Sequence, residues 1–125
     1  MALKSSMPMD IGLDQAQAHA LGGQPSGIVV NVDTLHSPGV ASVRNSIEGN
    51  LVCSQSLNGI EIYSGVGNGI YKNWIGRNSA GVAFPNAFWG VYLQNSNYNT
   101  GSGNAWGTNG SGKIGQVNCV GNNIN

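Results

Sequence analysis

A 20-residue stretch of this sequence recurs 31 residues further along the chain, and the recurrence limits the folds that the chain can adopt. The stretch 59–78, GIEIYSGVGNGIYKNWIGRN, aligns without a gap with 90–109, GVYLQNSNYNTGSGNAWGTN. When the comparison is carried on to residue 121, seven Gly or Asn residues coincide, whereas about one or two would do so by chance. The coinciding pairs are Gly59 with Gly90, Asn68 with Asn99, Asn73 with Asn104, Gly76 with Gly107, Asn78 with Asn109, Gly81 with Gly112 and Gly90 with Gly121. The chain therefore contains an internal repeat.

Short alternating runs of apolar residues follow each Gly-Ile or Gly-Val pair of the repeat. These pairs occur at 27–28, 59–60 and 90–91. Alternation over a few residues, bounded by Gly and Asn, is typical of short strands with one inward face. We therefore expect the apolar residues of the three pairs to lie in one inward row.

A second signature, Asn-x-apolar-x-x-Asn, occurs at 45–50, 73–78 and 104–109. A strand that bends sharply needs a residue that tolerates left-handed backbone angles, and Asn and Gly do so at least cost. If every turn falls at the same place, the amides hydrogen-bond along a row, as side-chain ladders do in cross-β assemblies. We expect the apolar residues at the third positions, Ile47, Ile75 and Trp106, to stack inward.

The repeat predicts an all-β fold, a right-handed parallel β-helix (solenoid) of about three to four coils. Residues 27–125 would form the repeats of about 31 residues, and residues 1–26 a leader with a short N-terminal helical cap. Asp10 can cap such a helix, the alanines between 16 and 20 favour it, and Gly22-Gly23 would end it. A floppy tail is the alternative for the leader. A β-sandwich is the alternative for the repeats, although it would not explain their constant register.

The repeats resemble those of right-handed parallel β-helix proteins of the pectate-lyase-like superfamily. NWIG at 73–76, followed by GVYL at 90–93, is similar to repeats in bacterial surface proteins and phage tailspikes of that class. The similarity covers about residues 27–124. It implies a fold and leaves activity open, because the family includes polysaccharide lyases, hydrolases, epimerases and proteins with no enzymatic role. With room for only three or four coils, a groove for several sugar residues would be short here.

The composition limits the kinds of partner that the chain is expected to bind. Charged residues make up 8% of the chain and the formal net charge is zero, so we expect no nucleic-acid partner, which would need clustered Lys and Arg. No apolar run is long enough to span a bilayer, and we expect no signal peptide in MALKSSMPMD. The residues assign no compartment; extracellular, cell-surface and virion locations stay open. We expect no cofactor, and no metal site, because converging oxygen ligands for Ca²⁺ cannot be assembled.

The two cysteines, Cys53 and Cys119, are predicted to be free buried thiols. They lie 66 residues apart, about two repeats, which corresponds to roughly 10 Å at the spacing of neighbouring strands. A disulfide needs Cα atoms within about 7 Å.

Catalytic candidates are few. Under the 31-residue register, no two of the five carboxylates share a row in adjacent repeats, whereas glycoside hydrolysis needs two facing one cleft. Glu61 lies between two inward isoleucines and should point outward, where it could serve as a general acid or base. A solvated strand residue is the alternative. Glu61 and Lys72 are the residues to test for catalysis.

The basic residues suggest an acidic ligand. In the register that aligns Asn45 with Asn73, Arg44 and Lys72 share a column, with Arg77 one turn further along. Three neighbouring cations could bind a uronate or another acidic sugar. Ordinary surface charge is the alternative interpretation.

Aromatic side chains provide a second set of ligand-binding candidates. Tyr63, Trp74 and Tyr92 occupy outward alternate positions, where exposed rings suit stacking on sugars or contact with another protein. Packing beneath the loop 78–89 is the alternative.

Three classes of function follow from these patterns. We expect a small non-catalytic module that binds carbohydrate, builds an assembly, or does both, with a polysaccharide ligand and homo-oligomers formed through open coil ends. A compact or truncated polysaccharide-acting enzyme (lyase, hydrolase or epimerase) is one alternative. A structural fragment of a surface or phage tail fibre is the other.

Overall fold

The computed structural model describes residues 3–4, 10–11, 20, 25–31 and 42–125. These residues form fifteen short strands and no helix. The strands are β1 (Leu3–Lys4), β2 (Asp10–Ile11), β3 (Ile28–Val30), β4 (Ser42–Val43), β5 (Ser46–Glu48), β6 (Leu51–Val52), β7 (Ile60–Tyr63), β8 (Gly65–Val66), β9 (Gly69–Tyr71), β10 (Trp74–Ile75), β11 (Trp89–Gln94), β12 (Thr100–Ser102), β13 (Ala105–Trp106), β14 (Gly112–Val117) and β15 (Asn123–Ile124).

The strands form four sheets in which all strand pairs are parallel. Sheet 1 has the order β1-β5-β9-β12-β15, sheet 2 the order β13-β10-β6-β2, and sheet 3 the order β14-β11-β7-β3. Sheet 4 contains β4 and β8. Neighbouring strands of a sheet come from successive segments of the chain, so equivalent side chains lie side by side. We call such a set of paired residues a row.

The apolar core lies on the inward face of sheets 1 to 3. Ile28 pairs with Ile60, and Ile60 with Val91, so the predicted inward row is present. The side chains of Ile60 and Val91 are 0% exposed. Burial of each such aliphatic side chain contributes about 1.5 to 3 kcal/mol, which makes this row one of the main stabilising features.

The second predicted row is wrong for Ile47 and right for Ile75 and Trp106. Ile47 pairs with Ile70 in sheet 1, whereas Ile75 pairs with Trp106 in sheet 2. The error comes from the alignment of Asn45 with Asn73, because the structure places Asn68, not Asn73, beside Asn45. The two residues that are actually paired lie 23 residues apart.

Buried asparagines follow one another across sheet 1. The backbone nitrogen and Nδ2 of Asn45 both donate to Oδ1 of Asn68, at 2.8 and 2.9 Å. Asn68 donates in the same way to Asn99, and Asn99 to Asn122. A second row runs from Asn50 through Asn73 to Asn104, and a third from Gln55 through Asn86 to Asn109. The amides thus satisfy buried backbone N–H groups at points where no strand continues.

Between the strands, the chain turns at residues with left-handed backbone angles. One set contains Arg44, Gly67, Tyr98 and Gly121, with φ between 54° and 68°. Another contains Gly49, Lys72 and Gly103, with φ of 72°, 54° and 70°. Only Gly adopts this region without steric cost, so Arg44, Lys72 and Tyr98 are held there by the pairing of the strands around them.

The predicted fold class, a right-handed parallel β-helix with a short N-terminal helical cap, is corrected by these observations. The described residues contain no helix and fall into four small parallel sheets. Asp10–Ile11, the predicted start of the cap, forms β2 and pairs with Leu51–Val52. Strand pairing satisfies an otherwise open sheet edge, whereas a short isolated helix is only marginally stable. The other cap residues, 12–19 and 21–24, lie outside the described part of the chain.

A regular coil of 31 residues is also not what the pairing shows. Paired residues are 23 positions apart between β5 and β9, 31 apart between β9 and β12, and 23 apart between β12 and β15. The extra residues of the longer spacing lie between β10 and β11, where the chain leaves the sheets. The 31-residue recurrence is therefore a shorter repeat plus one extra segment, residues 76–88, which we call the excursion.

That excursion covers the outer face of sheet 2. Phe84 and Trp74 pack on buried Leu51 and Cys53 there, and Sγ of Cys53 donates to the carbonyl oxygen of Arg77. Both cysteines are free, as predicted, although Cys119 is only partly buried. In the part of the chain that the structure describes, no helix has the length and apolarity needed to cross a membrane.

Candidate functional site

The outer face of sheet 3 brings polar and aromatic side chains into two rows. Glu61 pairs with Tyr92, and Tyr92 with Gly115. In the parallel row, Tyr63 pairs with Gln94. Strand residues alternate between faces, so these side chains point away from the core that Ile60, Ile62, Val91 and Leu93 fill.

Trp89 extends this face onto β14, where two glycines make room for its ring. A Cβ atom built on Gly115 would lie 2.5 Å from Cε2 of Trp89, and one built on Gly112 would lie 3.0 Å from Cζ3. The indole therefore lies against the backbone of β14. Because Gly115 is the direct neighbour of Tyr92, the indole lies on the same face of the sheet as the phenol.

The two tyrosines of the face touch each other. The ring centroids of Tyr63 and Tyr92 are 6.2 Å apart and the ring planes meet at 63°, an edge-to-face arrangement. This is a favourable geometry for two aromatic quadrupoles. We call Tyr63, Trp89 and Tyr92, with the polar groups of Glu61 and Gln94 beside them, the aromatic platform.

Glu61 is held by three donors. Its Oε1 accepts from Ser26 Oγ at 2.5 Å and from Asn58 Nδ2 at 2.8 Å, and its Oε2 accepts from the hydroxyl of Tyr63 at 2.8 Å. The residue is only 7% exposed. A carboxylate at the base of an aromatic face is thus fixed in position before any ligand arrives.

The environment of Tyr63 changes its acidity. Burial raises the pKa of Tyr63 to about 12, and the hydrogen bond to Glu61 and its negative charge act in the same direction. The proton of Tyr63 is therefore committed to Glu61, and the phenol oxygen can accept a hydrogen bond from a ligand.

Tyr92 and Gln94 form a second polar pair. The hydroxyl of Tyr92 donates to Oε1 of Gln94 at 3.0 Å. This bond orients the amide and leaves its Nε2 as a donor and the phenol oxygen of Tyr92 as an acceptor. The platform thus combines flat apolar surface with fixed hydrogen-bonding groups.

The other predicted ligand residues do not join this face. Trp74 is half-buried in the cluster with Leu51, Cys53 and Phe84 on sheet 2. Only Tyr63 and Tyr92 of the predicted aromatic trio come together.

The three basic residues that were predicted to lie together, Arg44, Lys72 and Arg77, do not lie in one row. Arg44 donates its backbone N–H to Val66 at the turn between sheets 4 and 1, whereas Lys72 donates to Ser102 at the far end of β9. The two turns are five positions apart along the chain, as at Arg44 and Gly49, which corresponds to roughly 16 Å of extended backbone. Arg77 lies in the excursion, where its Nε donates to the carbonyl oxygen of Asn78. The three cations therefore do not form the cluster that was expected to bind an acidic sugar.

No second carboxylate accompanies Glu61 on this face among the described residues. Glu48 belongs to β5 in sheet 1, where it pairs with Tyr71. In the described ranges, no three His, Cys, Asp or Glu residues lie close enough to hold a metal ion. The described part of this face thus lacks the pair of carboxyl groups that acid–base hydrolysis of a glycosidic bond calls for.

Sequence reasoning missed Trp89 and Gln94. Trp89 lies at the end of the predicted loop 78–89, and its place on β14 depends on glycines 23 and 26 residues further along. The 31-residue alignment pairs Trp89 with Val120, so it gives no signal for that contact. Gln94 could have been found, because it follows Tyr92 at the next outward position.

Comparisons with protein-family models, with curated proteins and with solved structures find no match to this chain.

Proposed function

We propose that the protein is a small non-catalytic module that binds carbohydrate through the aromatic platform. The observation that carries the proposal is that Tyr63, Trp89 and Tyr92, all partly exposed, share one sheet face beside an oriented carboxylate and amide.

The chemistry of a sugar matches that face. Pyranose rings have an apolar C–H face that stacks on aromatic rings, and hydroxyl groups at the rim that need hydrogen-bond partners. Trp89 and Tyr92 provide the flat surface, Tyr63 and Gln94 provide polar atoms at its margin, and Glu61 provides a negative charge at its base. Because these groups are held by strands and by each other, little side-chain entropy is lost on binding.

The hydrogen bonds of Glu61 support binding over catalysis. A general acid or base must exchange a proton with the substrate, yet Glu61 is nearly buried and already accepts from Ser26, Asn58 and Tyr63. Lys72, the other catalytic candidate, lies at the turn after β9 and away from sheet 3.

A glycan array tests the proposal. The native protein should give signal on a defined set of glycans, and Trp89→Ala or Tyr92→Ala should lower that signal at least about tenfold, because stacking is lost. Tyr71→Ala is the matched control, since Tyr71 is an aromatic residue of sheet 1 whose ring lies over Gly69. It should leave the signal unchanged. A silent array, or equal loss with Tyr71→Ala, would reject the proposal.

Assembly is a second candidate function, favoured by the edge position of β14. Among the described strands, β14 pairs only with β11, and Val117 at its end and Val120 just beyond it are 45% and 58% exposed. A six-residue edge strand with apolar neighbours is a template for pairing with another strand. Light scattering should show a defined oligomer that Val117→Lys weakens. A monomer at all concentrations would remove this candidate.

A further inference from the structure

We propose that the aromatic platform selects glycans by charge, with sugars that carry an ammonium group bound most tightly, neutral sugars next and uronates least. The inference rests on the proposed carbohydrate binding and names the class of ligand. It replaces the acidic sugar that the sequence suggested.

The hydrogen-bonding groups of the platform are mostly acceptors. An ionised carboxylate oxygen has two lone-pair sites. Both sites of Glu61 Oε1 are used, by Ser26 and Asn58, and Oε2 accepts from Tyr63, so this nearly buried residue acts on a ligand through its negative charge. The hydroxyls of Tyr63 and Tyr92 donate hydrogen bonds to Glu61 and Gln94, so toward a ligand both phenol oxygens can only accept. A ligand on this face must therefore supply donors, as hydroxyl and ammonium groups do.

No cation among the described side chains offsets this carboxylate. Arg44 and Lys72 occupy turns on either side of sheet 1, and Arg77 lies in the excursion over sheet 2. Lys113 belongs to β14 of sheet 3, but its Nζ lies 6.0 Å from the ring centre of Trp106, which belongs to sheet 2. A uronate on the platform would thus meet the charge of Glu61 without a counter-ion.

The size of the effect follows from the short distances on such a face. Two unit charges about 6 Å apart at a protein surface change an equilibrium by roughly tenfold, more where water is excluded and less where salt screens them. We therefore expect about tenfold between the ammonium and neutral sugars, and about tenfold again between neutral sugars and uronates.

Calorimetric titration with three β-1,4-linked tetrasaccharides tests this order. The series consists of glucosamine, glucose and glucuronate oligomers, which share a backbone and differ in charge. Mildly acidic buffer keeps the amines protonated and the carboxyl groups ionised. The expected affinities fall in the order glucosamine, glucose, glucuronate, and the spread should shrink as salt rises.

Glu61→Gln isolates the cause, because it removes the charge and keeps the shape. The spread between the three oligomers should collapse to within about threefold. Glu48→Gln is the matched control, since it removes one carboxylate from sheet 1, and it should keep the full spread. If Glu61→Gln fails to fold, the salt dependence of the native protein decides.

The outcomes separate the two proposals. Tight uronate binding, an unchanged spread in Glu61→Gln, or affinities insensitive to salt would overturn the charge order, while the loss of array signal in Trp89→Ala would still support carbohydrate binding. Failure of all three oligomers to bind overturns the charge order as well. A silent array overturns both.

Discussion

Asn73 and Asn104 lie 31 residues apart in the chain and share two hydrogen bonds. The backbone nitrogen and Nδ2 of Asn73 both donate to Oδ1 of Asn104, at 2.9 and 3.0 Å. The same pair of hydrogen bonds joins Asn50 to Asn73, although these two residues are only 23 positions apart in the chain. One side-chain amide thus satisfies two donors of its neighbour, whatever the length of chain between them. This is how the fold absorbs an excursion without losing register.

Removal of one such amide should be costly. Asn68 is 0% exposed, and its Oδ1 accepts two hydrogen bonds from Asn45. Asn68→Ala leaves both donors buried without that acceptor, so we expect the free energy of unfolding to fall by about 2 to 4 kcal/mol. Urea denaturation followed by circular dichroism measures the change.

The control for that experiment is Asn123→Ala, at an exposed position of β15. It should alter the free energy of unfolding by less than about 0.5 kcal/mol. Equal effects at the two positions would show that the buried amide rows do not stabilise the fold.

The close approach of neighbouring strands at Gly101 leads us to expect a loss of stability when a larger residue is placed there. A Cβ atom on Gly101 would collide with the carbonyl oxygen of Ile70, a backbone atom that cannot move aside. Gly101→Ala should therefore lower the free energy of unfolding by about 1 to 3 kcal/mol. Gly67 has φ of 68° and open space around it, so Gly67→Asn should change stability by less than about 1 kcal/mol. The midpoints of thermal unfolding report both, and a neutral Gly101→Ala would refute the close packing.

Lys72 should be replaceable with a gain in stability. It has φ of 54°, and the corresponding turn residues on either side are Gly49 and Gly103. Lys72→Gly relieves the left-handed strain and should raise the free energy of unfolding by about 0.5 to 1 kcal/mol. Glycan binding should not change. Weaker binding would return Lys72 to the list of ligand residues.

The pKa of Tyr63 makes stability depend on alkaline pH. The folded-state pKa is raised from 10.0 to about 12, so the folded protein holds this proton more tightly than the unfolded chain. The stabilising contribution is complete below about pH 10 and is lost as the pH rises to about 12. Tyr63→Phe should remove that part of the pH dependence in denaturation curves. An identical slope in the variant would contradict the assignment.

Parts of this architecture could be predicted from the sequence because they depend on local pattern. Alternation after the Gly-Ile and Gly-Val pairs placed Ile28, Ile60 and Val91 in one buried row, and the repeat indicated parallel pairing of β7 with β11. The same alternation put Tyr63 and Tyr92 on the outer face.

What could not be predicted depends on the length of the excursions. Gly and Asn fill both the turns and the excursion, so composition does not show that Asn45 pairs with Asn68. Because the sequence alignment paired Asn45 with Asn73 instead, it assigned Ile47 to the wrong row and wrongly predicted that Arg44 and Lys72 are neighbours. The N-terminal cap failed for a different reason, since pairing of Asp10–Ile11 with β6 outweighs a weak local helix signal.

The most direct test of the account is to map bound sugar on the backbone. Amide chemical shifts of ¹⁵N-labelled protein would be recorded during titration with the glucosamine tetrasaccharide. We predict saturable shifts confined to β7, β11 and β14, around Glu61, Tyr92 and Gly115. Shifts clustered at the turns that hold Arg44 and Lys72, or no shifts at saturating ligand, would contradict a carbohydrate site on sheet 3.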